Sequence, residues 1–329
     1  MDEKKSPSKR PAARYPEKVT PYYASLIDPR DPDDPLGRMV IPSADERLPS
    51  PHLSLDPLLE ARHTPVPRLI RRYPDRALLL VTGECASYCR FCFRKRILGK
   101  LGPISKPELD RVVEYLSYHP QVSEVLVSGG DPLTLGNARL DAILSALRSV
   151  RTIEVIRVST RMPAVLPSRI TKKLAAVLAK HHPLYVTTHF NHPREVTRQA
   201  ERACAILADA GLPLANQTVL LRGVNNSTEV LGELFRKLLR NRVRPYYLFQ
   251  CDLVEGAGHF RTPIAEGIEI MSELSQSLSG LALPKFVVDL PGGSGKVQLD
   301  RDRLDISRPG KTLIRGLDGR VAEYPDILR

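Results

Sequence analysis

The sequence predicts an α/β chain, a parallel sheet of six or seven strands with helices outside it, curled into an open or partial (β/α) barrel. Three observations carry this. Apolar, β-branched runs recur at 77–81, 122–127, 153–158, 184–188, 214–220, 243–249 and 284–289. Those starting at 122, 153, 184 and 214 advance by 31, 31 and 30 residues, the length of one strand–helix–strand unit. Polar clusters follow five of the runs, and in parallel barrels chemistry sits at the C-terminal ends of the strands.

In chain order, residues 1–13 are basic, Pro-containing and aperiodic, and read as a disordered tail. Residues 14–75 are rich in Pro and Asp (Asp28-Pro, Asp31-Pro, Asp33-Asp-Pro), which suits turns and short helices wrapping a surface and contributing subunit contacts rather than a core. Residues 76–290 carry the strand–helix alternation. The helix predicted over 168–180 places Ile170, Leu174, Val177 and Leu178 on one face. The next, over 227–240, follows Asn226 with Glu229 three residues on, a capping-box pattern. The last has Thr262 as expected N-cap, Pro263 in its first turn and Gly280 past its end. Residues 291–329 hold a glycine-rich loop ending at Lys296 and a β-hairpin with an Asp318-Gly319 turn.

Composition narrows the function classes. A chain of 329 residues with 42% hydrophobic and 26% charged residues is that of a soluble globular protein. No run reaches 18 apolar residues and the N-terminus lacks an apolar signal core, so a cytoplasmic protein without membrane association is expected. Five cysteines, an odd number without a framework spacing, agree with a reducing compartment. The net charge of +12 invites nucleic acid, but aromatics are only 5%, Trp is absent and the basic residues are scattered. Such an excess serves anionic cofactors equally well.

The most informative motif is Cys85-Ala-Ser-Tyr-Cys89-Arg-Phe-Cys92, directly after the first predicted strand. Thiolates at C-x3-C-x2-C spacing select iron–sulfur, zinc or copper(I). A structural zinc or an electron-transfer [4Fe–4S] cluster wants four protein ligands, so three leave one iron open to a substrate. Ser128-Gly129-Gly130-Asp131 ends the second strand, with glycines that let backbone approach a ligand or make a turn. His189 opens a polar cluster after the fourth. Asp252 and Asp289 end the sixth and seventh, either facing a cation between them or solvating strand ends. Gly292-Gly-Ser-Gly-Lys296 fails as a phosphate-binding loop, since Pro291 precedes it and Val297 follows the Lys. An inward Lys296 could form an imine with an aldehyde cofactor, and a solvated surface lysine is the alternative.

These residues together resemble the lysine 2,3-aminomutase family of pyridoxal 5′-phosphate (PLP)-dependent radical S-adenosylmethionine (SAM) enzymes. The similarity runs from about Asp31 to Tyr324 and covers Arg-Tyr-Pro-Asp-Arg at 72–76, the cysteine loop, 128–131, and Thr-His-Phe-Asn-His-Pro at 188–193. It continues through 216–225, Arg-Pro-Tyr-Tyr at 244–247, and Val-Asp-Leu-Pro-Gly-Gly-Ser-Gly-Lys at 288–296. The resemblance implies a partial (β/α)6-type radical SAM barrel with an N-terminal wrapping segment and a small C-terminal β extension. It implies that Cys85, Cys89 and Cys92 ligate a [4Fe–4S] cluster and that Lys296 holds PLP. Ser128, Gly129, Gly130, Asp131, His189 and Gln217 fall at SAM-contacting positions, and Arg72 and Arg76 near the PLP phosphate. Arg94 stands where the family binds the substrate carboxylate, and Asp252 and Asp289 where it binds the lysine ε-ammonium. The implied reaction moves the amino group of L-lysine from C2 to C3 to give β-lysine, through an adenosyl radical and PLP.

The acidic pair argues for a cationic side chain over glutamate, and leaves arginine as an alternative. Longer members bind zinc through C-terminal cysteines and a cysteine where this chain has Ser227, so no zinc is expected. Phe249 stands where some relatives have Tyr. An external one-electron reductant and a homo-oligomer are implied, and the short form resembles the branch that makes β-lysine for elongation factor P, with free β-lysine for osmoprotection, catabolism or an antibiotic as the alternative destination. A radical SAM enzyme acting on RNA, without PLP, and a catalytically dead paralogue are the readings from other classes.

Overall fold

A computed structural model describes residues 15–50, 52–293, 295–300, 304–308, 310–316 and 319–327. The tail at 1–13, Ser294 and Asp318 lie outside the described residues.

Nine strands form one sheet in chain order: β1 (Leu69–Ile70), β2 (Arg76–Thr82), β3 (Glu124–Gly129), β4 (Val155–Thr160), β5 (Leu184–Thr188), β6 (Leu214–Leu220), β7 (Val243–Gln250), β8 (Lys285–Asp289) and β9 (Lys296–Gln298). Strands β2 to β8 are mutually parallel, while β1 and β9 pair antiparallel at the two edges. The edges do not pair with one another, so the barrel is partial. Each of the six crossovers carries a helix of eight or more residues: Lys106–Ser117, Asn137–Arg148, Lys172–Ala179, Arg198–Asp209, Thr228–Arg240 and Ile264–Ser277. That is six β/α units and a seventh parallel strand. Ile156 and Val158 of β4 are wholly buried, with Arg157 and Ser159 more open between them, the period-2 pattern of a strand whose two faces differ.

Several local expectations are corrected. The predicted 168–180 helix is a 3-10 turn, Pro167–Arg169, then a helix from Lys172, because Thr171 caps it by accepting from Leu174 N. Ser227, not Asn226, caps Thr228–Arg240 by accepting from Val230 N, and Asn226 instead joins Gly223 N to Glu266. Thr262 caps nothing; its buried hydroxyl has no partner. The amide of Ile264 is met by Asp326, 62 residues away. Strands β1, β9 and β10 (Leu304–Arg308) were not expected, while the predicted C-terminal hairpin is β11 (Lys311–Arg315) with β12 (Val321–Pro325).

The N-terminal segment does more than wrap. Short helices Pro21–Ala24 and Pro35–Val40 start at prolines behind Thr20 and Asp34, whose side chains accept from backbone amides. They insert Tyr23, Leu36 and Met39, each 0% exposed, into the main core. Burial of such side chains stabilises by roughly 1.5–3 kcal/mol each, which ties this segment to the barrel.

Candidate active site

A cavity of about 330 Å³ opens among the C-terminal ends of the strands. Every site residue predicted above lines it: the three cysteines, residues 128–131, His189, Gln217, Arg72, Arg76, Arg94, Asp252, Asp289 and Lys296.

At one end lie the thiols. The loop carrying them is fastened from outside: Tyr88 N donates to Lys18 O and Arg90 N to Met39 O, each at 2.8 Å. The side chain of Arg90, 2% exposed, meets Glu46 through two bonds of 2.6 and 2.5 Å. Burial and mutual repulsion push the Cys85 thiol well up and Cys92 up to about 11. Without a metal Cys85 and Cys92 are therefore neutral, and thiolates form as a metal displaces the protons. Among the described residues no three His, Cys, Asp or Glu side chains converge on a single-ion position. Three thiols of one loop line the same cavity, an arrangement that fits a polynuclear cube, where each sulfur takes its own iron. Arg161 Nη1 points at Cys89 Sγ from 2.8 Å, a cation placed to suit a thiolate.

Arg161 belongs to a buried network that sequence reasoning missed. Its Nη2 donates to Glu195 Oε1 at 2.7 Å, which also accepts from Tyr23 OH at 2.8 Å. The second oxygen of Glu195 accepts from the amides of Asn191 and His192. Arg161 follows β4, so the strand-end rule alone would have flagged it. Beside it His189 is held neutral, its pKa lowered to about 4 by burial and by the Arg161 charge.

Residues 128–131 carry a different load from the one expected. A Cβ at Gly129 would lie 2.2 Å from Thr82 O, and one at Gly130 2.3 Å from Glu84 O. These glycines are required by the approach of the β3 end to the end of β2 and to the residue that precedes Cys85. The Asp131 carboxylate is taken up by Thr160 Oγ1, Arg161 N and Leu133 N at 2.8–3.0 Å. It is a strut between strand ends, and Ser128 stays turned to the cavity.

At the other end stands Lys296. The antiparallel pairing of β9 with β8 sets it directly opposite Asp289. Gly292 at φ 73° and Gly295 at φ 97° make the turn between them, so Lys296 begins a strand rather than riding a flexible arm. Its Nζ lies 3.0 Å from Asp289 Oδ2 and 4.0 Å from the centroid of Phe249, and its backbone N donates to Tyr73 OH. Arg72 Nη1 also reaches Asp289, at 3.6 Å. Arg72 Nε and Nη2 are buried without any partner, orphan donors that fit an anion such as a cofactor phosphate. Arg76, by contrast, is engaged with Asp75 and stacked on Tyr73 at 3.8 Å. Burial, then the adjacent Asp289 charge, raise Asp252 to about 7. Arg94 is held by Glu60, a residue from the N-terminal segment with no signal of its own in the sequence.

Comparison with known proteins agrees with this geometry. Residues 79–234 match the radical SAM superfamily and 271–327 match the lysine-2,3-aminomutase family. The L-lysine 2,3-aminomutase of Clostridium subterminale is 46% identical over 94% of this chain and 74% of its own length. The chain belongs to the lysine 2,3-aminomutase family. The L-lysine 2,3-aminomutase of Fusobacterium nucleatum is likewise 46% identical, covering 94% of this chain and 73% of its own. The glutamate 2,3-aminomutase of Clostridioides difficile is 41% identical over 94% of this chain and 73% of its own. In the fold alone, SuiB of Streptococcus suis, solved with SAM, aligns at TM-score 0.50 and 15% identity over 69% of this chain and 52% of its own. A radical SAM methyltransferase from Sphaerobacter thermophilus aligns at TM-score 0.50 and 16% identity over 67% and 68%. Lysine 2,3-aminomutase family members are radical SAM isomerases that use a [4Fe–4S] cluster, SAM and PLP. The thiol triad, the orphaned Arg72 donors and Lys296 fit that set.

Proposed function

We propose that this chain moves the amino group of L-lysine between C2 and C3, giving β-lysine. The observation that carries the choice of lysine is that Asp252 and Asp289 line one cavity with Lys296 and the sulfur triad. Two carboxylates there suit a cationic side chain, whereas the carboxylate of glutamate would meet like charge in a buried site.

When bound, the cluster and SAM supply an electron and a 5′-deoxyadenosyl radical, and PLP carries the migrating nitrogen. Cys85, Cys89 and Cys92 hold the cluster, with Arg161 stabilising the charge on Cys89. Ser128, Gln217 and neutral His189 bound the SAM side, while Gly129 and Gly130 shape it by close backbone approach and Asp131 by its carboxylate strut. Lys296 Nζ is the amine for the PLP aldehyde, and Asp289 holds it in place beforehand. Arg72 gives its two orphan N–H groups to the PLP phosphate, with Arg76 adding charge nearby. Arg94 takes the substrate carboxylate by Nη1, so lysine is gripped at both ends and its C2–C3 segment is presented between radical source and PLP. The apolar Phe249 ring over Lys296 keeps water from that segment.

Around this core, we read a homo-oligomeric, cytoplasmic enzyme that takes its electron from an external reductant. No helix among the described residues is long and apolar enough to cross a membrane. Modification of elongation factor P is the proposed destination of the product. The test is anaerobic incubation with SAM, PLP and reductant, offering lysine, arginine and glutamate separately. β-Lysine should form, with the glutamate product at least 100-fold slower, as expected for a broken buried charge pair, while the arginine arm decides between the two cationic side chains. Turnover of glutamate at the lysine rate would overturn the assignment.

A further inference from the structure

Glu60 lies on a single 3-10 turn, Glu60–His63, entered through Leu59 at φ 49°. Its side chain is 3% exposed, and both oxygens are used by arginines of the cysteine loop. Oε1 accepts from Arg94 Nε at 2.9 Å and stands 2.8 Å from Arg94 Nη2. Oε2 accepts from Arg96 Nη2 at 2.7 Å. Asp56 closes the circuit, 3.3 Å from Arg96 Nη2 and accepting from Glu60 N at 3.1 Å. Burial opposes the Glu60 charge, yet the two guanidinium groups outweigh it and hold its carboxyl below the ordinary range.

A guanidinium has three nitrogens, and Glu60 engages two of those on Arg94. The third, Nη1, is turned toward Ser128, 3.4 Å from its hydroxyl, and Arg94, Ser128 and Glu60 all line the cavity. We propose that Glu60 is a positioning residue for substrate recognition, clamping Arg94 so that Nη1 is the group left to meet an amino-acid carboxylate. This rests on the reading of Arg94 as the carboxylate-binding residue. It makes a side chain from outside the barrel part of its specificity. A carboxylate-bearing ligand gains from a donor already held in place, and a ligand without one gains nothing.

The experiment titrates two ligands into the PLP-loaded enzyme and follows the change in PLP absorbance. One is lysine; the other is 1,5-diaminopentane, which has both amines and no carboxylate. Glu60→Gln and Glu60→Asp should each weaken lysine by about tenfold or more, the effect of misplacing one bonding group. Affinity for the diamine should stay within twofold. Equal weakening of both ligands would mean general loosening of the site, and unchanged lysine affinity would mean no clamp; either overturns the proposal. Glu60→Asp keeps the charge and carries the comparison should the Gln variant not fold. Arg94→Ala separates the two layers. If it leaves the preference for lysine over diamine intact, the Arg94 reading fails and this one with it. If it removes that preference while the Glu60 variants bind like the parent, only the clamp is wrong.

Discussion

The two ends of the cavity are built differently. At the sulfur end the charges answer one another: Arg90 is paired to Glu46, and Arg161 to Glu195, all within a shell 7% exposed or less. What awaits a guest there is the thiol triad, Cys85 and Cys92 raised by burial, and one orphan donor, Arg161 Nε. At the lysine end the charges are unbalanced. Asp289 is shared by Lys296 and Arg72, Asp252 is pushed to about 7, and Arg72 retains two orphan donors. On the proposed reading, the first end is the seat of a resident cluster. The second is a set of groups whose partners must come and go with cofactor and substrate, and tension there is the counterpart of exchange.

Three experiments break or sharpen that contrast. The largest effect separates the two ends. Cys89→Ala should lose iron and cut amino-group migration by more than about 10³-fold while keeping PLP absorbance; Lys296→Ala should do the reverse, keeping iron and losing PLP absorbance. Loss of both groups from either variant, seen in metal content and absorbance spectra, would mean that the ends are one cooperative unit.

Asp252→Asn tests the unbalanced end. Lysine affinity should fall by about 100-fold or more, since breaking a buried ion pair costs on the order of 3–5 kcal/mol. In the parent protein, affinity for lysine should rise from pH 6 to pH 8 as Asp252 ionises near its raised value of about 7. Stability without ligands moves the other way. A carboxyl raised in the fold contributes stability that is complete below its unfolded value near 3.8 and lost as pH rises through about 7. The Asn variant should therefore be more stable than the parent at pH 8, by up to roughly 4 kcal/mol for a shift of this size. Denaturant melts at pH 5 and pH 8 would show the difference shrinking at the lower pH; a constant difference would refute the cause.

The smallest effect belongs to the balanced end. Tyr23→Phe removes one of the bonds to Glu195 and a neighbour of Arg161 at 3.1 Å. A loss of about 0.5–1.5 kcal/mol in a denaturant melt is expected, with iron content unchanged. A loss of iron would show that this network retains the cluster rather than merely supporting the fold.

Much of the barrel was legible because a strand–helix repeat is a local signal. β5 and β6 fall where the apolar runs place them, whereas β3 and β4 begin two residues late. Val122 and Ile153 are apolar because they are buried in the turns that lead into those strands, bonded to His119 and Val150. β9 was illegible because Lys296–Gln298 is too short to show a period and is defined only by its neighbour. The same holds for Asp326 capping the Ile264 helix in place of the nearby Thr262.

By itself, the sequence determined which residues could do chemistry and that they end parallel strands, since ligand spacing and apolar period are properties of neighbours along the chain. The tertiary structure decided how those charges are shared out: Glu60 with Arg94, Arg161 with Cys89 and Glu195, Lys296 with Asp289. Such pairing depends on which elements meet when the sheet curls and on how little water remains between them. Local periodicity records neither, because the strength of a charge pair is set by the surroundings that folding creates.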